Sequence, residues 1–291
     1  MSAADPEITL DQKSSSDATP IQLPLLAAPR AEVFLVETAE ELEEAVQTLA
    51  AGSGPFAVDA ERASGFKYSQ RAYLIQVYRA GSPIYLIDPA AIAPTADEGP
   101  FAGLAEVLRS DAWILHAASQ DIPCLRELGL TATKLFDTEL GSRIAGLERV
   151  GLGAVTESLL GVRLAKEHSA VDWSTRPLAN DWLNYAALDV DVLFELWAAV
   201  EAVLIERNKL DWASQEFAAT LAAQPKSAKV DKWRGMTGLH EVKDQRKLAI
   251  ARELWTAREN LAVKLDVSPG RLIPDSSIVN VAKETPKSKP Q

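Results

Sequence analysis

The stretch Phe56-Ala57-Val58-Asp59-Ala60-Glu61 decides the fold of this chain. It follows turn-forming residues at 52–55 and precedes a polar stretch, so it is predicted to be a short buried strand. Because side chains alternate along a strand, Asp59 and Glu61 share one face of it. Burying two like charges is costly unless something compensates them. Either a hard divalent cation such as Mg²⁺ lies there, or the strand end emerges into solvent.

Composition bounds the class of protein. The chain has 291 residues, 47% hydrophobic and 24% charged, which is enough for one large globular domain and a small one. No apolar run reaches the length of a membrane helix and no signal peptide opens the chain, so no membrane partner is predicted. Cys124 is the only cysteine, which fits a reducing cytoplasm. With three histidines, a Cys/His zinc site lacks ligands, so oxygen must hold any metal.

The charge is distributed unevenly. The net charge of −11 argues at first against nucleic acid as a partner. However, 14 of the 30 Lys and Arg residues, but only 8 of the 41 Asp and Glu residues, lie from Pro225 onward. An acidic body therefore precedes a basic C-terminal region.

The residue pattern predicts an α/β domain with a mixed sheet. Predicted strands lie at 33–36, 56–61, 72–79, 84–88 and 113–116, the third and fourth forming a hairpin. Predicted helices lie at 39–49 behind a capping box, 101–109, 155–160 and 181–207. Ser119 is predicted to cap a helix that ends before Gly129, and Asp137 one that ends at Gly146. Further helices are predicted at 245–265 and 276–282.

Two later segments add acidic residues. Asp121 lies in the first turn of the helix after strand 113–116, where the helix dipole alone would favour an acid. Asp189 lies four residues after Tyr185, so both are on one helical face. A solvated face is the alternative there, but Val192 and Leu196 continue the same side.

Four acids and a tyrosine in this order resemble the motifs of the DEDD exonuclease superfamily, tyrosine subclass, and specifically ribonuclease D. The resemblance covers about Val33 to Leu210. It rests on Val58-Asp59-Ala60-Glu61, Leu115-His116-Ala117-Ala118-Ser119-Gln120-Asp121 and Tyr185-Ala186-Ala187-Leu188-Asp189, supported by Tyr73-Leu74-Ile75-Gln76-Val77, Phe136-Asp137-Thr138-Glu139, Asp172-Trp173 and Arg176-Pro177-Leu178. The resemblance implies a ribonuclease H-like fold, with a mixed β-sheet flanked by helices.

The resemblance also implies the chemistry. It implies a metal-dependent 3′→5′ exoribonuclease that releases 5′-mononucleotides from RNA 3′ ends, with transfer-RNA precursors as substrates. Two divalent ions, Mg²⁺ or Mn²⁺, would neutralise charge on the reacting phosphate and the leaving 3′ oxygen. Asp59 would bridge them, with Glu61 and Asp189 completing one site and Asp121 holding the other, directly or through water. Tyr185 would orient the attacking water.

Two alternatives stay open. A DNA 3′→5′ exonuclease shares the same catalytic set, although no polymerase region is present, and the contact to the 2′-OH that separates RNA from DNA is not located. A non-catalytic nucleic-acid-binding protein on the same fold would be expected to lack one or more of the acids, and none is missing.

Several other polar residues are predicted to be structural. His116 is expected to be a hydrogen-bonded histidine at a strand end, and Gln76 and Arg176 are expected to fix packing and loop geometry. Cys124 is expected to be a small buried residue. Lys166 is either a phosphate contact or a solvated lysine.

The predicted organisation has four parts. These are a disordered leader at 1–28, an exonuclease domain at 29–210, a linker at 211–225 and an HRDC-like helical region at 226–291. The last part resembles the start of an HRDC domain, a helical nucleic-acid-binding module. It departs from that family in length, because the chain stops at Gln291, so it is predicted to be incomplete or shortened. The oligomeric state is not predicted.

Overall fold

A computed structural model of the chain describes residues 23–93, 99–165, 171–224 and 231–285. Most of the predicted leader, residues 1–22, lies outside the described residues. Its last residues include a short strand, β1 (Leu25–Leu26), which pairs in parallel with β8 (Arg163–Leu164). Among the described residues, no helix combines the length and apolar character that crossing a bilayer requires.

A mixed six-stranded sheet forms the centre of the fold, as predicted. Its strands are β2 (Val33–Val36), β3 (Phe56–Arg62), β4 (Ala72–Arg79), β5 (Ile84–Ile87), β6 (Trp113–Leu115) and β7 (Leu135–Asp137). Their spatial order is β2-β5-β4-β3-β6-β7. The β3–β4 and β4–β5 pairs are antiparallel, and the remaining neighbours in the order are parallel. Strand β7 extends the sheet beyond the strands that the sequence predicts.

Helices cover both faces of the sheet and form the C-terminal region. The helices between β2 and β7 in the chain are α1 (Ala39–Ala51), α2 (Pro89–Ile92), α3 (Ala102–Leu108) and α4 (Ile122–Arg126). After β7 follow α5 (Thr138–Ala145), α6 (Leu152–Leu160), α7 (Asn180–Asp191), α8 (Leu193–Glu206) and α9 (Leu210–Ala222). The C-terminal region contains α10 (Gln245–Leu265), α11 (Pro269–Leu272) and α12 (Asp275–Glu284).

The alternation predicted for β3 is confirmed by its two cores. Phe56 and Val58 belong to the cluster that also contains the buried side of α1, α3 and α4. Ala57 belongs to the opposite cluster, formed with α5, α7 and α8. Asp59 and Glu61 therefore follow Ala57 onto the face covered by α7.

The long helix predicted at 181–207 is wrong in one respect, because it is two helices that meet at Val192. The Arg30 side chain lies at the break. Its Nη2 donates to the Asp191 carbonyl at 2.8 Å, and its Nε donates to the Asp191 carboxylate at 2.8 Å. A carbonyl bonded in this way is satisfied outside the helix. The partner, Arg30, is far away in sequence, so no local pattern indicates the break.

Two other boundaries differ from the sequence-based expectation. Ser119 is exposed, and α4 begins only at Ile122 with Asp121 in the capping position, so the predicted Ser119 cap is wrong. Residues 211–225 are predicted as a linker, whereas α9 occupies most of that segment. Helix α9 packs on the central sheet through Phe217, whose ring centroid is 4.9 Å from that of Phe136 in β7.

The C-terminal region has a small core of its own, built around Trp233, Met236, Ala251 and Ile278. Helix α10 spans the range that the sequence predicts, and α12 extends the predicted 276–282 by a few residues. Inside this region the Arg258 guanidinium bonds the Asp275 carboxylate at 2.7 Å.

Candidate active site

The candidate site lies where β3 and β6 end. The two strands are parallel, with Phe56 opposite Trp113 and Ala57 opposite Ile114. Parallel strands present their carboxyl ends at the same edge of the sheet. The end of β3 carries Asp59 and Glu61, and the chain leaving β6 reaches Asp121 six residues after Leu115.

The turn that carries Asp121 is shaped by Asp137. Its carboxylate accepts hydrogen bonds from the backbone N–H groups of Ala117 at 3.0 Å and Ala118 at 2.9 Å. The same carboxylate caps α5 by accepting from Glu139 and Leu140, both at 3.0 Å, so the cap predicted for Asp137 is confirmed.

The resulting turn directs Asp121 at the sheet edge. Ala117 adopts a left-handed conformation with a φ of 63°, which turns the chain sharply after β6. At the end of the turn, the Asp121 carboxylate makes no capping hydrogen bond to α4. That carboxylate is therefore available to the cavity next to it.

Helix α7 brings Tyr185 and Asp189 to the same edge. The loop before α7 is held by Arg176, which bonds the buried Asp88 carboxylate through Nη2 at 2.8 Å and the Tyr73 carbonyl at 2.8 Å. In that loop the fully buried Trp173 lies against the Tyr185 ring, with centroids 6.4 Å apart. The structural role predicted for Arg176 is confirmed by these contacts, which hold the loop that leads into α7.

All five residues singled out from the sequence line one cavity of about 510 Å³. The carboxylates of Asp59, Glu61 and Asp189 each offer an oxygen within 4.8 Å of the others. Asp121 lies outside this three-carboxylate group but on the wall of the same cavity, as does Tyr185. Residues from the end of β3, from the turn before α4 and from α7 thus converge. The alternative of a strand end in solvent does not hold, because Glu61 is only 8% exposed.

Burial and mutual repulsion make these acids hard to ionise without a cation. Burial raises the pKa of Asp59 to about 6, against the smaller opposing effects of the Ala60 backbone N–H and the Arg62 charge. The pKa of Glu61 is raised well above its ordinary value, first by burial and then by the charges of Asp59, Asp189 and Asp121. The pKa of Asp121 is raised in the same way, first by burial and then by the charge of Asp59.

Tyr185 lies beside Asp189 and keeps its hydroxyl proton. Its hydroxyl is hydrogen-bonded to Asp189, one helical turn further along α7. Burial, followed by the charges of Asp189 and Glu61, raises the pKa of this hydroxyl far above its ordinary value. The phenol therefore stays protonated and can donate one hydrogen bond and accept another.

His116 and Arg62 are the other two ionisable side chains that line the cavity, among the described residues. The His116 ring is held by Thr138, whose hydroxyl lies 2.8 Å from Nδ1, which confirms the prediction of a hydrogen-bonded histidine. Burial lowers the pKa of His116 to about 4, so the ring is neutral. Arg62 was missed by the sequence interpretation, although a cation that directly follows the acidic pair is a usable signal. Lys166 lies outside the described residues.

The donor set fits divalent cations bound by oxygen. Three carboxylate groups within 4.8 Å of one another, with a fourth on the same wall, provide hard anionic ligands. Cys124 is buried with a thiol pKa raised by burial to about 12, so it offers no thiolate. Cation binding would also remove the repulsion that raises the carboxyl pKa values.

The fold and the site together define the class: an α/β protein with a ribonuclease H-like mixed sheet and an acidic site suited to divalent cations. The chain belongs to the 3′-5′ exonuclease family, whose model matches residues 33–205. The model of the HRDC domain matches residues 247–291. All four acids and Tyr185 fall inside the exonuclease match.

Relatives with known names agree with the family. The chain is 32% identical to a ribonuclease D of Acidiphilium cryptum, over 88% of this chain and 64% of that protein. It spans 56% of a ribonuclease D from Nitrobacter hamburgensis at 30% identity, so it covers between about half and two thirds of these two relatives. The predicted resemblance to ribonuclease D is confirmed.

Solved structures share the fold. A protein from Bifidobacterium adolescentis aligns with a TM-score of 0.86 and 43% identity, over 92% of this chain and 65% of that one. Escherichia coli RNase D, described as an exoribonuclease involved in structured RNA processing, aligns with a TM-score of 0.68 and 26% identity. That alignment covers 88% of this chain and 68% of the Escherichia coli chain.

Proposed function

We propose that the protein is a metal-dependent 3′→5′ exoribonuclease that hydrolyses phosphodiesters at RNA 3′ ends and releases 5′-mononucleotides. One observation carries the proposal: Asp59, Glu61, Asp121, Tyr185 and Asp189 line a single cavity at one edge of the sheet. The similarity to proteins named ribonuclease D and to the Escherichia coli exoribonuclease supports RNA as the substrate.

The carboxylates hold the cofactor. Two divalent ions, Mg²⁺ or Mn²⁺, would neutralise the charge that develops on the reacting phosphate and would lower the pKa of the attacking water. Asp59, Glu61 and Asp189 are close enough together to share one ion, and Asp121 lines the same cavity. Asp121 would hold the second ion.

Tyr185 aims the nucleophile. Its protonated hydroxyl, anchored by Asp189, holds a water molecule in line with the terminal phosphodiester. Water attacks phosphorus and the bond from phosphorus to the preceding 3′ oxygen breaks. The products are a nucleoside 5′-monophosphate and an RNA shortened by one nucleotide with a free 3′-hydroxyl.

The relatives suggest a more specific RNA substrate. Trimming of transfer-RNA 3′ ends is the role that similarity to ribonuclease D suggests, and the basic C-terminal region matched by the HRDC model would contribute to holding structured RNA. We propose a cytoplasmic location, since the single cysteine is a buried free thiol and disulfides are rare in that compartment. The division into domains at 29–210 and 226–291 also stays a proposal.

The test is direct. RNA labelled at its 3′ end is incubated with the protein and Mn²⁺ or Mg²⁺, and released mononucleotides are measured. Release should stop with chelator and in Asp59→Ala, while Glu43→Ala, which removes an exposed acid from α1, should retain full activity. Binding of RNA without release would support a binding protein instead.

Two further substrates separate the remaining alternatives. DNA of the same sequence, if degraded as fast as RNA, would favour a DNA exonuclease. RNA with a blocked 3′ end should resist cleavage, since the reaction starts at a free 3′ terminus. Cleavage of the blocked RNA would contradict the 3′→5′ direction.

A further inference from the structure

Arg62 is a cation inside an acidic cavity, and its position follows from the geometry of β3. The pairing of β3 with β4 shifts register between Glu61 and Arg62. Alternation along the strand directs Arg62 to the face opposite Glu61. Glu61 therefore points towards Asp189 on α7, while Arg62 points towards Asp121, next to α4.

The contacts of Arg62 are loose compared with those of structural arginines in this protein. Its Nη2 lies 3.9 Å from the Asp121 carboxylate, beyond hydrogen-bond distance, and its side chain is 24% exposed. Its Nε is buried and has no hydrogen-bond partner among the described residues. By contrast, Arg79 bonds the carbonyls of Leu49 and Gly54, and Arg176 bonds Asp88 and Tyr73.

The balance of charges in the cavity indicates a role for the Arg62 guanidinium. Within the described residues that line the cavity, Arg62 is the only arginine or lysine, against the carboxylates of Asp59, Glu61, Asp121 and Asp189. With all of these ionised, the side chains carry three negative charges. Two divalent ions would leave one positive charge, which matches the single negative charge of one phosphodiester.

We propose that Arg62 binds the phosphodiester being cleaved, through a non-bridging oxygen, and so sets the charge of the loaded site to that of its substrate. This inference rests on the proposed function. A guanidinium has several donors in a fixed plane, so Nη2 can stay near Asp121 while Nη1 reaches a phosphate oxygen. Without substrate, the same cation competes with divalent ions for Asp121.

The proposal predicts opposite effects of one substitution on two measurements. Arg62→Gln removes the cation, so Mn²⁺ should bind more tightly in the absence of RNA, as followed by electron paramagnetic resonance of free Mn²⁺. The same change should lower kcat/KM for single-stranded RNA by roughly tenfold or more, since a charge-assisted hydrogen bond is lost. Arg62→Lys keeps the charge, so its Mn²⁺ affinity should equal that of the wild type.

Controls separate this from a structural role. Lys134→Gln removes one exposed positive charge just before β7, at the amino ends of the parallel strands, and should change neither measurement. Weaker Mn²⁺ binding in Arg62→Gln, together with lower activity, would show that Arg62 only supports the site. Unchanged kcat/KM in Arg62→Gln would also overturn the proposal, provided that the wild type releases mononucleotides. A wild type that releases none would instead contradict the proposed function.

Discussion

Asp266 and Ser69 join the C-terminal region to the rim of the candidate active site. The Asp266 carboxylate accepts hydrogen bonds from the Ser69 backbone N–H at 2.8 Å and from its hydroxyl at 3.2 Å. Two residues later, the Ser268 N–H donates to the Phe66 carbonyl at 2.9 Å. Because the loop at 63–71 begins directly after β3 and its Ser64 lines the cavity, these contacts connect the HRDC-like region to the site.

Removing the Asp266 carboxylate should loosen this loop without disturbing the carboxylates. We expect Asp266→Ala to speed amide hydrogen exchange in residues 63–71 by at least about tenfold, because both hydrogen bonds to Ser69 are lost. KM for RNA should rise while kcat changes little, because the chemistry is unaltered. Glu284→Gln, at an exposed acid of the same region, serves as the control. Unchanged exchange in the loop would show that other contacts hold it.

The Asp137 carboxylate should make a large contribution to the free energy of unfolding, although it lies at the end of β7. Its carboxylate satisfies N–H groups in two separate segments, at Ala117 and Ala118 and at Glu139 and Leu140. We expect Asp137→Asn to lower the free energy of unfolding by about 2 to 4 kcal/mol, since charged acceptors are lost at a buried position. Urea denaturation measures this. Asp211→Asn, an exposed acid of α9, should change stability by less than about 0.5 kcal/mol.

Much of the fold could be predicted because its signals are local. The alternation of β3, the capping box at Thr38 and the cap at Asp137 each depend on neighbouring residues, and the structure confirms all three. The site residues were found through a resemblance to a family, which supplies long-range information that local patterns lack.

The remaining features depend on contacts between distant residues. The break at Val192 coincides with Arg30, and α9 is held by packing of Phe217 on Phe136, so neither has a local signal. Asp121 looked like an ordinary acid at a helix start, and only the parallel pairing of β3 with β6 brings it to the acidic pair. Arg62 was missed because nothing in its own segment shows that it faces Asp121.

Tyr185→Phe should separate binding from chemistry. The hydroxyl lies in the cavity and bonds Asp189, but the carboxylates provide the oxygen ligands, so Mn²⁺ affinity should stay within about threefold of the wild type. Single-turnover cleavage of RNA should slow by about 10² to 10⁴, the usual range when a group that orients a nucleophile is removed. Undiminished cleavage at equal metal affinity would remove Tyr185 from the mechanism. Trp182 lies on α7, the helix of Tyr185, and its ring contacts Trp173. Trp182→Phe therefore tests for indirect packing effects.

Asp59 should couple the stability of the protein to pH and to metal. Burial raises its pKa from 3.8 to about 6, so between these two pH values the folded, metal-free protein holds a proton that the unfolded state has lost. Below about pH 4 the carboxyl is neutral in both states and imposes no penalty. As the pH rises from about 4 to 6 the penalty grows, and above about 6 it is complete.

The Asp59→Asn variant has no ionisable group at this position, so its folded state does not bear the cost of a buried charge there. In chelator, the variant should be more stable than the wild type at about pH 8 by on the order of 1 to 3 kcal/mol, and the difference should shrink towards about pH 4. Mn²⁺ binds the ionised carboxylates, so it should stabilise the wild type more at pH 8 than at pH 5 and should stabilise Asp59→Asn far less. Denaturant unfolding of both proteins, with and without Mn²⁺ at each pH, measures all of these differences. Equal Mn²⁺ stabilisation of the two proteins would mean that Asp59 is not a ligand.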